Sequence, residues 1–165
     1  MEGAAETAAA MDKAKVIRLL EFFPDIDEEI RAKRNAIADL DQCYNTVSGI
    51  QYDGMPKGNY HAGSQTESRA MNIPDYISKE IKMYQREIEA LQKVKIEIIK
   101  EVSRLNLKHK KIIFGFYFNS MKWEQVAERT NYSDRQCKNI RDEALGKLLA
   151  GFKKNRVLTD YEIRE

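Results

Sequence analysis

Apolar side chains recur every three or four residues from Ile77 to Leu105: Ile77, Ile81, Tyr84, Ile88, Leu91, Ile98, Val102 and Leu105. That spacing lays one stripe along a helix, and about four heptads of it exclude a strand or an irregular loop. Charges such as Glu80, Lys82, Glu87, Glu89 and Lys93 fall between the stripe positions, and Lys95 interrupts the seam. The helix can begin near Pro74, since a first helical turn has no use for the N–H that proline lacks. So regular a seam needs a partner helix. The sequence offers two: an earlier segment folded back as an antiparallel hairpin, or the same helix of a second subunit.

Residues 12–48 supply the earlier segment. Phe23, Ile26, Ile30, Ile37, Leu40, Tyr44 and Val47 keep the alternating spacing if Lys33 fills one seam position, and Phe23-Pro24-Asp25 marks a break. Lys33 and Lys95 interrupt their stripes, either as buried pairing or register devices or, the expected reading, as solvated edges. Residues 49–73 hold four glycines, a proline and many polar side chains, which reads as a long loop. The stretch MEGAAETAAA precedes a second start-like Met11, so residues 1–11 read as a disordered leader. No internal repeat is present and no stretch reads as a strand. The expected fold class is all-α.

Composition narrows the function. The 165 residues are 33% charged and 42% hydrophobic, ordinary for a folded domain. No apolar run is long enough to span a membrane, and no signal-peptide pattern appears, so no membrane partner is expected. Cys43 and Cys137 lie far apart without metal-ligand spacing, which argues against zinc or a disulfide framework and for a reducing cytosol. Net charge is +2, but its distribution is uneven. Residues 104–156 carry 13 Lys/Arg against 5 Asp/Glu, or +8, and the remainder is −6. A basic C-terminal module on an acidic N-terminal one is the asymmetry of a nucleic-acid binder with a separate assembly region.

After Leu107 the pattern changes to three short helices. Ile112, Ile113, Phe116 and Tyr117 give the first an apolar face, and Trp123–Arg129 forms a second of about two turns. Asn131 stands where a tight turn wants a left-handed residue. Ser133 opens the third helix, with Gln136 completing a capping box. Ala127 supplies the small residue at a close crossing, and Val126, Tyr132, Cys137 and Ile140 stand where a helix-turn-helix buries its shared core. Ala144, Leu145 and Leu148 continue the inner face. Asp134, Arg135, Lys138, Asn139, Arg141 and Asp142 must then point outward, and Arg, Lys and Asn match base edges in the major groove.

The string WEQVAERTNYSDRQCKNIRDEALGKL, densest from Ser133 to Leu148, resembles the C-terminal region of bacterial sigma factors that reads the upstream promoter hexamer. The resemblance places base contacts at Asp134, Arg135, Lys138 and Asn139. Asp134 replaces a usual arginine, so the sequence preference should differ. The usual capping threonine before the second helix is Lys122, for which Ser120 is the expected substitute. The whole chain, with Tyr52-Asp53-Gly54-Met55-Pro56-Lys57-Gly58 in its loop, is similar to sigma-like phage and prophage regulators of the ArpU/RinA type. That similarity implies a transcriptional regulator, expected to be an activator of late phage genes, working on double-stranded DNA in a bacterial host cytosol. Lys108, Lys110, Lys111, Lys122, Arg141 and Lys147 are the expected contacts to the DNA backbone, and His109 beside them could also touch phosphates.

Bacterial RNA polymerase and a second copy, joined through the long helices, are the further expected partners. The rival functions are a phage small terminase subunit binding packaging-site DNA, and a sigma mimic that occupies polymerase without reading DNA. Gly54-Met55-Pro56-Lys57-Gly58 lacks the phosphate-loop spacing and a preceding strand, so it reads as a turn. His61, Ser64 and Glu67 share a polar loop with no second cluster to support them. No enzyme activity, cofactor or metal is therefore expected. The expected organisation is a leader (1–11), a long-helix hairpin (12–103), a sigma-like helix-turn-helix domain (104–156) and a tail (157–165).

Overall fold

The computed structural model describes residues 10–47 and 73–164, with side chains omitted at 44–47. The expected loop up to residue 72, and the leader up to residue 9, lie outside the described residues. Among the described residues all regular structure is helical, as the periodicity requires: α1 (Lys13–Phe22), a 3-10 turn (Phe23–Asp25), α2 (Ile26–Val47), α3 (Asp75–Ser103), α4 (Leu107–Ile113), a π turn (Phe114–Phe118), α5 (Trp123–Thr130), α6 (Asp134–Lys153) and α7 (Arg156–Asp160). No helix among them is long and apolar enough to cross a membrane.

Contacts divide the chain into two compact units, one holding residues up to Glu28 together with Ala90–Glu165, the other Glu29–Glu89. The division does not fall at residue 104, and the reason is α1. Asp12 caps that helix by accepting the Lys15 N–H at 2.7 Å. Val16, Leu19 and Leu20, spaced for one helical face, are completely buried, and α1 packs on α6. Met11, expected in the leader, is buried as well. The expected tail also joins this core: Leu158 on α7 is fully buried, and the Thr159 carbonyl accepts a hydrogen bond from Lys15 Nζ at 2.6 Å.

α6, expected as the last of three short helices, instead runs for 20 residues. Its apolar positions continue from Cys137, Ile140 and Ala144 through Leu145 and Leu148 to Phe152, all buried. Near its C-terminal end Gly151 lies against the Glu101 side chain of α3, whose carboxyl group would collide with a Cβ there. Leu91, Val94, Ile98 and Val102 line the buried side of α3 in this unit, and Leu105 just after the helix is buried too. Val94, not Lys95, therefore fills the seam. Lys95 is half-buried, donates to both carboxylate oxygens of Asp27 (2.5 and 2.6 Å) and lies 5.6 Å from the Phe23 ring centroid. Of the two readings, pairing describes Lys95, whose partner is a carboxylate on a neighbouring helix.

In the smaller unit Ile30 and Ile77 are buried, whereas Ile37, Leu40, Ile81, Tyr84 and Ile88 are half-buried. Lys33, also half-buried, donates to Glu87 of α3 at 2.8 Å and lies 6.0 Å from the Tyr84 ring centroid. At this point the partner of α3 is α2 of the same chain.

Leu91 is 4% exposed. Leu91→Asp should place an unpaired carboxylate among apolar neighbours and destabilise the fold by roughly 3 kcal/mol or more. Chemical unfolding followed by circular dichroism measures the loss.

Candidate nucleic-acid interface

A three-residue turn, Asn131-Tyr132-Ser133, joins α5 to α6. Asn131 takes the left-handed conformation (φ 58°, ψ 26°), which asparagine tolerates better than other side-chain-bearing residues. Thr130 Oγ donates to the Val126 carbonyl at 2.6 Å, closing the last turn of α5. Ser133 and Gln136 form a capping box. The Gln136 N–H donates to Ser133 Oγ (3.2 Å), and the Ser133 N–H donates to Gln136 Oε1 (3.0 Å). At the start of α5 the cap residue is Lys122, whose N–H donates to Gln125 Oε1 at 3.0 Å. Ser120 does not cap α5: it precedes the cap by two residues and sits at φ 52°.

The turn brings together a small apolar centre. Ile112, Val126, Cys137 and Ile140 are buried in it, with Phe116, Met121, Trp123, Ala127 and Tyr132 packed around. Burial of Cys137 makes it a packing residue; Cys43 is exposed on α2. On the opposite side of α6, Asp134, Arg135, Lys138 and Asn139 are all exposed, and none of them makes a side-chain hydrogen bond or ion pair among the described residues. Asp134 in the first turn also suits the helix dipole, whatever else it does.

The expected backbone contacts separate into three groups. Lys111 and Lys122 are exposed and Lys110 is half-buried, without ion pairs among the described residues. Arg141 is committed to other work. Its Nε and one terminal nitrogen donate to Asp142 Oδ1 (3.1 and 3.0 Å), and its guanidinium lies 5.3 Å from the Trp123 ring centroid. Trp123 in turn stacks on Phe116 at 4.0 Å. Lys108 is also paired, 3.5 Å from Glu143. Lys147 lies elsewhere, in a groove between α6 and the end of α3.

His109 cannot touch a phosphate, because it is 1% exposed. Its Nε2 is 3.1 Å from Glu143 Oε2, while Nδ1 is buried without a hydrogen-bond partner among the described residues. Sequence held a signal for this: His109 stands three and four residues before Ile112 and Ile113, on the apolar face of α4. The Trp123–Arg141 stack had no such signal, since eighteen positions separate the two residues.

No group of three His, Cys, Asp or Glu among the described residues is arranged to hold a metal ion. The segments Tyr52–Gly58 and His61, Ser64 and Glu67 lie outside the described residues. Comparison with protein-family models, curated proteins and solved structures gives no match to this chain.

The hydrogen bond from His109, and then the charge of Lys108, hold the Glu143 carboxyl below its ordinary value of 4.5. A carboxyl depressed in the folded state contributes stability above its unfolded pKa and loses it as pH falls through the lower folded value. Glu143→Gln should therefore melt below wild type at about pH 6, and the gap should close toward about pH 3. Paired thermal melts across that range test the linkage.

Proposed function

We propose that the chain is a sequence-specific DNA-binding transcriptional regulator whose α5–α6 pair acts as a sigma-like helix-turn-helix. One observation carries the reading: Arg135, Lys138 and Asn139 stand exposed and without a partner among the described residues on the outer side of α6, behind which the apolar centre fixes the helix. Unpaired donors on a rigid helix suit direct readout, because phosphate contacts position a protein while base contacts specify the sequence. Lys111 and Lys122 supply the uncommitted charge for backbone contacts. The +8 balance of residues 104–156 favours association with a polyanion.

The resemblance to sigma-like regulators adds the direction of the proposal: activation of phage or prophage genes, with bacterial RNA polymerase as a further partner. The half-buried stripe of α2 and α3 in the smaller unit suits self-association, which would present two reading helices at once.

The rival role for this face is solubility, and charge alone does not separate the two. Asn139 does, since its replacement changes no charge. Asn139→Ala should weaken binding to the cognate duplex by about 1–3 kcal/mol and leave affinity for random duplex unchanged at the same salt. Arg135→Ala and Lys138→Ala should lose affinity for both duplexes, and more for the cognate one. Fluorescence titrations with a duplex selected from a random pool make the comparison. Equal losses on both duplexes for all three variants would reduce the face to an electrostatic handle.

A further inference from the structure

An open groove of about 730 Å³ lies in the larger unit, between the C-terminal end of α3 and the C-terminal half of α6. Its depth follows from Gly151, whose missing side chain lets α6 approach Glu101. The carboxylates of the floor are already engaged. Glu101 accepts from Arg104 at 2.9 Å, and Glu97 accepts from Lys100 and from Asn155 Nδ2, both at 2.7 Å. These donors hold the Glu97 carboxyl below its ordinary value, Lys100 contributing most. Lys147, Lys154 and Arg156 also line the groove; they are exposed and make no ion pair among the described residues. Three uncommitted cations thus face a floor whose two carboxylates are already engaged.

We infer that this groove is a second phosphate-binding surface, which takes the backbone of a duplex segment other than the one met by the outer face of α6. Helix geometry separates the two surfaces. At about 100° per residue, Lys147, Gly151 and Lys154 lie roughly 130° around α6 from Arg135, Lys138 and Asn139, and roughly 20 Å farther along it. A side chain there points away from a duplex held at the N-terminal end of the helix.

The chemistry of the lining selects the ligand. None of the lining residues is aromatic, so the groove offers no platform on which single-stranded bases could stack. An acidic peptide would drop carboxylates toward Glu97 and Glu101. A duplex is convex and carries its charges outside, about one per 1.7 Å of axis, and so meets the rim cations without entering the floor. The inference extends the proposed DNA binding but rests on different residues.

The test is the number of short random-sequence duplexes bound per chain at low salt, measured by sedimentation. Wild type should bind two per chain. Lys147→Gln/Lys154→Gln/Arg156→Gln should bind one, with the second affinity lowered roughly a hundredfold or more at about 0.1 M salt, if three phosphate contacts are lost. Arg135→Gln/Lys138→Gln should keep the groove-bound duplex. One duplex per wild-type chain that the triple variant keeps, or a triple variant that still binds two, overturns the inference and leaves the α5–α6 proposal standing. A triple variant that binds no duplex, beside an Arg135→Gln/Lys138→Gln protein that loses nothing, would retain the groove and sink the α5–α6 proposal. Equal displacement of duplex by inorganic phosphate or by polyglutamate at matched ionic strength would also overturn it, since the site would then hold any anion. Circular dichroism confirms that the variants fold, and the three groove cations are exposed enough for that to be expected.

Discussion

Burial of one side of α6 is the constraint on which the larger unit depends. Cys137, Ile140, Ala144, Leu145, Leu148 and Phe152 all lie on that side, and α1, α4, α5 and α7 pack against the helix. Fully burying a large apolar side chain stabilises by about 1.5–3 kcal/mol, so this face outweighs any surface ion pair the unit makes. It also fixes the rotation of α6 about its own axis. Once the inner residues are buried, Arg135, Lys138 and Asn139 have no choice but solvent. The proposed reading face is thus a consequence of packing before it is a matter of charge.

The cations divide into those that hold the fold and those left over. Lys15, Lys33, Lys95, Lys108 and Arg141 each have a partner within their own unit. Lys33 and Lys95 link helices, while Arg141 ties α6 to the ring of Trp123. Partly exposed pairs such as those of Lys108 and Arg141 are each worth under about 1 kcal/mol, so their effect is more to favour one arrangement than to add stability. Lys111, Lys122, Arg135, Lys138, Lys147, Lys154 and Arg156 make no ion pair among the described residues. A positive field survives only where charges stay uncompensated, and these residues supply it.

How much of this was legible follows from the range of each interaction. The capping box at Ser133, the left-handed Asn131 and the shared centre of Val126, Ala127, Tyr132, Cys137 and Ile140 were readable because each depends on residues a few positions apart. A break at Phe23-Pro24-Asp25 was readable for the same reason, though not that it takes the form of a 3-10 turn. Less legible was everything decided across the chain. That α1 belongs with α6 depends on Val16, Leu19 and Leu20 finding the same core as Phe152, over a hundred residues away. Lys95 looked like a broken seam position because its carboxylate partner, Asp27, is 68 positions off. The groove cations were visible as charges, but nothing local said that Arg104 would meet Arg156.

The outer face of α6 remains the place where two explanations share the same residues. Solubility requires that a helix buried on one side be polar on the other, and any mixture of charges would serve. Readout requires donors left unpaired, in a fixed orientation, at the end of the helix that a turn anchors. Arg141 and Asp142 satisfy the first requirement: they are polar and bonded to each other, with Lys13 also 3.8 Å from Asp142. Arg135, Lys138 and Asn139 are polar and bonded to nothing described, one turn nearer the anchored end. Pairing them would have cost the fold nothing in solubility. Their donors therefore stay open to a base edge, and the proposal of base readout rests on that.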